Sequence, residues 1–285
     1  MRDSDLRRAE HVLESDGEPI SEFTGDTTPY INYQSIDVLL SLQRPLSAEP
    51  AELTFYIIGQ VKELLFKLVY EELSRARALL DANDPSRATF VLRRVRRVIE
   101  LLTGTWDVIG TLTPTEFNRF RDCLGNASGV QSYMYRMVEY ILGNKVPELA
   151  EPHRNVPAVN SQVQTALHAP SVYDAAVRLL ARRGALIPEA IVNRDFSHSV
   201  APSPQVEQAW ADIYQEDEAD EMFELAEALM GVAEAMCRWR SIHLLTVERI
   251  IGFKPGTGGT HGVSWLRRIA EHRFFPELWT VRSIL

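Results

Sequence analysis

VAEAMCRWRSIHLLTVERIIGFKPGTGGTHGV, residues 232–263, changes character halfway along. In its first half Val232, Met236, Trp239, His243, Val247 and Ile250 recur at spacings of three and four, which sets them on one stripe of an α-helix. The same period reaches back to about residue 217 and ends near 252, where Gly-Thr-Gly-Gly opens a loop. A P-loop is excluded there: a helix precedes the glycines instead of a strand, and no Gly-Lys-Ser/Thr closes them. The loop is either a backbone that bends over a small ligand, with Thr257 and Thr260 offering hydroxyls and amides, or a plain connection. His243 points where the core points, as a hydrogen-bonded core histidine or as a ligand. No second histidine follows at three or four residues and no HExxH occurs, so a helical zinc site lacks its ligands. A single inward histidine suffices for a haem iron, whose in-plane ligands come from the porphyrin.

Outward from this stretch, the 3.6-residue period dominates and no convincing run of alternating strand residues or internal repeat appears, so the chain reads as all-α. Residues 1–28 are polar and charged, a flexible segment ahead of a single domain over 29–285. Helices are expected over about 51–80, with Ile58, Val61, Leu65, Leu68 and Leu73 in the buried stripe, and over about 86–110. TPTEF restarts helix at 113, with Thr113 as N-cap, Pro114 in the first turn and Glu116 completing a capping box. Helix resumes through SYMYRMVEYILG after a break at LGNASG. Residues 145–205, with seven prolines, read as an inserted lobe, and a last amphipathic piece ends at RFFPELW.

The 285 residues carry a formal net charge of −9, which argues against a general role on nucleic acid or anionic membranes. RRVRR at 93–97 is the one contrary sign, but its arginines alternate with Val91, Val95, Val98 and Leu102 at helical spacing and read as a solvated face. Cys123 and Cys237 are far apart, which excludes a disulfide framework. No apolar run has the length of a signal peptide or a membrane span, so a soluble, cytoplasmic protein is expected. Arg121, one turn beyond Phe117 and just before a Gly/Ser/Asn break, is placed where a guanidinium could fork onto a carboxylate; most arginines, however, are surface residues.

Taken together, YINYQSIDVLLSLQRP, FYIIGQVKELLFKLVYEEL, WDVIGTLTPTEFNRFRDCLGNASGVQS, HLLTVERIIGFKPGTGG and RFFPELWTVR resemble the tryptophan 2,3-dioxygenase superfamily of haem enzymes, in family order over nearly the whole chain after residue 29. The resemblance implies an all-α fold and a non-covalent haem b with His243 as the iron's proximal ligand. It implies that Arg121 and Thr257 hold the carboxylate and ammonium of a tryptophan-like amino acid and that Phe55 packs on the indole. Trp106 and Ser128 would lie near the haem. Tyr30 and Tyr33 would come from a neighbouring subunit of a homotetramer.

The chain departs from that pattern in two places. Where the family usually carries a distal histidine that meets the indole N–H, this sequence has Gly59, and where it usually has tyrosine, Phe117. Glycine inside a helix costs about 1 kcal/mol relative to alanine, so Gly59 signals either close helix packing or a roomier pocket. The resemblance therefore implies an oxygenase using O2 on the indole C2–C3 bond, with two outcomes. The one expected with Gly59 in place of histidine is a 2-oxindole-forming monooxygenase of the kind found in maremycin-type biosynthesis, acting on a substituted tryptophan such as β-methyltryptophan and needing an external reductant. The other is an ordinary dioxygenase making N-formylkynurenine. Tyrosine hydroxylation is disfavoured by the retained Phe55 and the GTGG segment; a non-catalytic haem sensor is disfavoured by the retained Arg121 and Thr257.

Overall fold

The computed structural model describes residues 2–215 and 220–285. Among them every regular element is helical, and no helix is long and apolar enough to cross a membrane. The chain divides into two compact units, the first ending at Arg44 and the second running over Pro45–Leu285.

In the first unit, the segment expected to be flexible contains α1, Asp3–Glu14, whose side chains are all at least partly exposed. Thr28 and Pro29 start α2, Pro29–Gln34: the Ile31 N–H donates to Thr28 Oγ1 at 3.2 Å, and proline sits in the first turn, where its missing N–H costs nothing. Ser35, at φ 51°, turns the chain into α3, Ile36–Leu39. Tyr30 and Tyr33 stand on α2, 66% and 87% exposed.

The second unit is built on α4, Pro50–Asp81, α5, Pro85–Ile109, and α12, Glu221–Ile251, with α5 packed against both of the others. The start expected for α12 at residues 217–219 lies outside the described residues. On α5, Val91, Val95, Val98 and Leu102 are buried, while Arg93, Arg94, Arg96 and Arg97 are tied up in ion pairs with Glu224, Glu72, Glu100 and Glu234. The buried stripe of α4 is Phe66, Val69, Leu73, Ala76 and Leu80, which shifts the expected face: Leu68 is 42% exposed, and Ile58, Val61 and Leu65 are half-buried. This 32-residue helix is apolar on more than one side, so spacing alone does not tell which side meets α5.

Between α5 and α12 come α6, Pro114–Arg121, and α7, Tyr133–Leu142. They are followed by α8, Pro157–His168, α9, Val172–Arg182, α10, Glu189–Val192, and α11, Pro204–Tyr214. The TPTEF expectation is met: the Glu116 N–H donates to Thr113 Oγ1 at 3.2 Å and the Thr113 N–H to Glu116 Oε2 at 2.8 Å. The 145–205 stretch, expected as an inserted lobe of the single domain, contributes to the main core. The apolar face of α9 buries Val172, Ala175, Ala176, Leu179 and Leu180 against that core, and α9 packs on α4. Its prolines shorten the helices without separating them. Past the glycine loop, α13, Val263–Glu271, lies along α12, and α14, Pro276–Thr280, closes the chain.

Candidate functional site

A cavity of about 680 Å³ opens among α4, α5, α6, α7, α12, α13 and the glycine loop. Its wall gathers eight of the ten residues singled out from the sequence: Phe55, Gly59, Trp106, Phe117, Arg121, Ser128, His243 and Thr257. The other two, Tyr30 and Tyr33, belong to the first unit.

At one end, Phe55 from α4 meets Phe117 and Phe120 from α6, with ring centroids 5.8 and 5.6 Å away, in tilted contacts that fix an apolar corner. Arg121 ends α6 beside it. Its Nη2 donates to the Pro255 carbonyl at 2.6 Å, so this guanidinium holds the glycine loop with one arm and leaves the rest of its fork for a ligand. Thr257 Oγ1 donates to the Ala127 carbonyl at 2.6 Å. A hydroxyl whose proton is committed in this way presents lone pairs, which suits a cationic group. The loop lies close enough that a Cβ on Gly258 would fall 2.6 Å from Ser128 Cβ, and Gly262 takes φ +58°, so glycine is required at both places.

At the other end, Trp106 stacks on His243 at 4.2 Å and 8° between planes, and Trp239 tilts against both. Neither ring nitrogen of His243 has a hydrogen-bond partner among the described residues, which removes the reading of a satisfied core histidine. Burial, and after it the charge of Lys62, pushes this imidazole down to about 3, so its lone pair is free across ordinary pH. Among the described residues no three His, Cys, Asp or Glu side chains gather to hold a metal ion.

The structure adds wall residues that sequence reading missed. Lys62 projects from α4 with Nζ 2.9 Å from the Trp106 ring centre, and burial lowers its pKa to about 7. Burial raises Glu63 beside it, against a hydrogen bond from Ser132. A buried network closes the floor: Glu139 accepts from Arg240 at 2.7 Å, from Asn144 at 3.3 Å and from Arg136, while Arg240 also donates to Tyr135 Oη at 3.1 Å. Arg240 lies about a hundred residues from Tyr135 and Glu139 in sequence, so no spacing announces that it joins them.

The region where a distal side chain was expected is open. A Cβ built on Gly59 meets nothing within 4 Å, which excludes tight helix packing as the reason for this glycine.

The family profile described as tryptophan 2,3-dioxygenase matches residues 14–285. A tryptophan 2,3-dioxygenase of Caulobacter vibrioides is 42% identical over 257 residues, covering 90% of this chain and 98% of that protein. One from Bordetella parapertussis is 40% identical over 286 residues, the full length of both. One from Polaromonas is 43% identical over 265 residues, 93% of this chain and 90% of its own. The all-α fold thus comes with end-to-end similarity to enzymes of one kind, and the chain is an oxygen-using oxidoreductase belonging to the tryptophan 2,3-dioxygenase family.

Proposed function

We propose that this protein is a haem-dependent dioxygenase of tryptophan or a closely related indole amino acid, opening the C2–C3 bond to give an N-formylkynurenine. The observation that carries this reading is the meeting, in one cavity, of an unpartnered neutral imidazole with an arginine fork, a lone-pair-presenting threonine and an apolar aromatic corner.

The wall fits haem b. The cavity volume falls within the range of about 300–1,000 Å³ usual for small-molecule sites, the lining is largely aromatic and aliphatic, and the buried Nε1 atoms of Trp106 and Trp239 have no protein acceptor. His243 would hold the iron, and Trp106 would keep the imidazole from rotating by stacking on it. When bound, the haem supplies the ferrous iron at which dioxygen is taken up.

The remaining work falls to side chains. Arg121 binds the substrate carboxylate through its free N–H groups, and Thr257 offers its hydroxyl lone pairs to the ammonium. Phe55 lies against the indole, and Phe117 completes the corner without a hydroxyl. Ser128, under Gly258, sets how close the loop comes and would lie near a haem held by His243. The loop excludes water from the reacting ring. Tyr30 and Tyr33, exposed on α2, come from a neighbouring copy in a homotetramer. The setting is cytoplasmic.

One observation favours a second reading. With Gly59 the wall offers the indole N–H no imidazole and leaves open space that a β-methyl substituent can fill. A ring held less tightly would favour a 2-oxindole monooxygenase that inserts one oxygen atom and requires an external reductant. The names and full-length similarity of the relatives support the dioxygenase. Mass spectrometry of products from tryptophan and β-methyltryptophan under labelled dioxygen separates the two. Two labelled atoms in N-formylkynurenine, formed without sustained reductant, are expected. One labelled atom in an oxindole, formed only while reductant is supplied, would replace the dioxygenase by the monooxygenase.

A further inference from the structure

Of the cations on the cavity wall, Arg121 is committed to the Pro255 carbonyl, and Arg136 and Arg240 to Glu139. Lys62 is different. Its Nζ rests on the face of Trp106, and no carboxylate, carbonyl or hydroxyl among the described residues accepts a hydrogen bond from it. An aromatic face compensates an ammonium charge only in part, and no protein anion completes it here. A ligand that brings an anion would complete it.

The position of Lys62 selects which anion. On α4, Phe55 marks the end of the cavity where Arg121 waits, and Lys62 is seven residues further along, about 10 Å of helix rise. There the indole of Trp106 touches both the amine and the His243 ring. The carboxylate of the amino acid belongs to the Arg121 end. Haem b carries two further carboxylates on the edge of its ring, and a haem held by His243 would bring them into the cavity that Lys62 faces.

We propose that Lys62 pairs with a carboxylate of the haem, giving this protein a second anchor for its prosthetic group beside His243. The inference rests on the haem reading of His243. It also accounts for an otherwise unpaired charge facing a mostly apolar cavity.

The test compares haem b with its dimethyl ester, in which both carboxylates are neutral. Haem-free full-length protein is reconstituted with each, and release to excess haem-free myoglobin is followed by the Soret band. The wild type is expected to release the diester about tenfold faster than haem b, the scale of one charge-assisted pair. Lys62→Met should release both at the diester rate of the wild type, and Lys62→Arg should keep most of the preference. A wild type that does not distinguish the two haems, or a Lys62→Met variant that distinguishes them as well as the wild type does, overturns the proposal. The wild-type comparison holds even if a variant folds poorly. Failure of the wild type to bind either haem would instead remove the haem reading on which the inference stands.

Discussion

Arg240 and His243 stand three residues apart on α12, and their surroundings are opposite. Arg240 donates to Glu139 at 2.7 Å, to Tyr135 at 3.1 Å and to the carbonyls of Ile269 and His272 at 3.3 Å each, joining α7, α12 and the end of α13. His243, one turn on, bonds to nothing among the described residues; its ring is held only by the faces of Trp106 and Trp239. The first group is spent on the fold, and the second, on the function proposed above, is kept for a ligand. Buried polar atoms normally find partners, so a cavity wall that leaves an imidazole and an amine without them is arranged for something the chain does not itself supply.

That contrast can be broken from its fold side first, where the largest effect is expected. Glu139→Ala leaves Arg136 and Arg240 buried without their anion and should destabilise the protein by about 3–5 kcal/mol, lowering the melting temperature by roughly 10 °C. A fall of less than about 2 °C by calorimetry would show that the network is not what holds α7, α12 and α13 together.

On the ligand side the signature reverses. His243→Ala should reduce haem content by at least about tenfold while the haem-free protein melts within about 3 °C of its parent, since no hydrogen bond is lost. A variant with the parent's Soret band and haem content would refute the axial assignment. Arg121→Met should leave haem content intact and weaken binding of the amino acid about tenfold, followed by the haem spectrum. Unchanged amino-acid affinity would return Arg121 to a purely structural tie on the glycine loop.

The smallest effect sharpens the comparison. Gly59 lies inside α4, and a Cβ there meets only open space. Gly59→Ala should therefore raise stability by about 1 kcal/mol, a gain of a few degrees in melting temperature. If alanine destabilises the protein, the space above Gly59 is not open and the roomy-pocket argument fails with it.

Much of this was legible in the sequence because helical order is local. The Thr113–Glu116 box, the stripe through His243 and the arginine face of α5 each depend on residues within two turns of one another, and each is found where the spacing puts it. The buried side of α4 was not legible, since two apolar faces compete and only packing against α5 chooses Phe66 and Val69 over Leu68. The Arg240–Glu139 pair was invisible for a related reason: a buried charge is recognised by its partner, and here the partner lies on another helix. Lys62 was overlooked for a different one. A lysine on an amphipathic helix ordinarily marks the solvent side, and nothing local says that this one faces a cavity.

The position of α5 between α4 and α12 also sets the order of events during synthesis. α4 and α5 adjoin in sequence and can pair as soon as Ile109 has left the ribosome, but α12 begins only at Glu221. For more than a hundred residues of elongation, the side of α5 that will receive Leu225, Leu229 and Val232 has no cover, and the half-walled cavity has neither imidazole nor lid. A nascent chain of this protein thus exposes its stickiest surface late, when it is already long. Arrest near residue 215 would be expected to recruit holding chaperones, and release past Val263 to dismiss them.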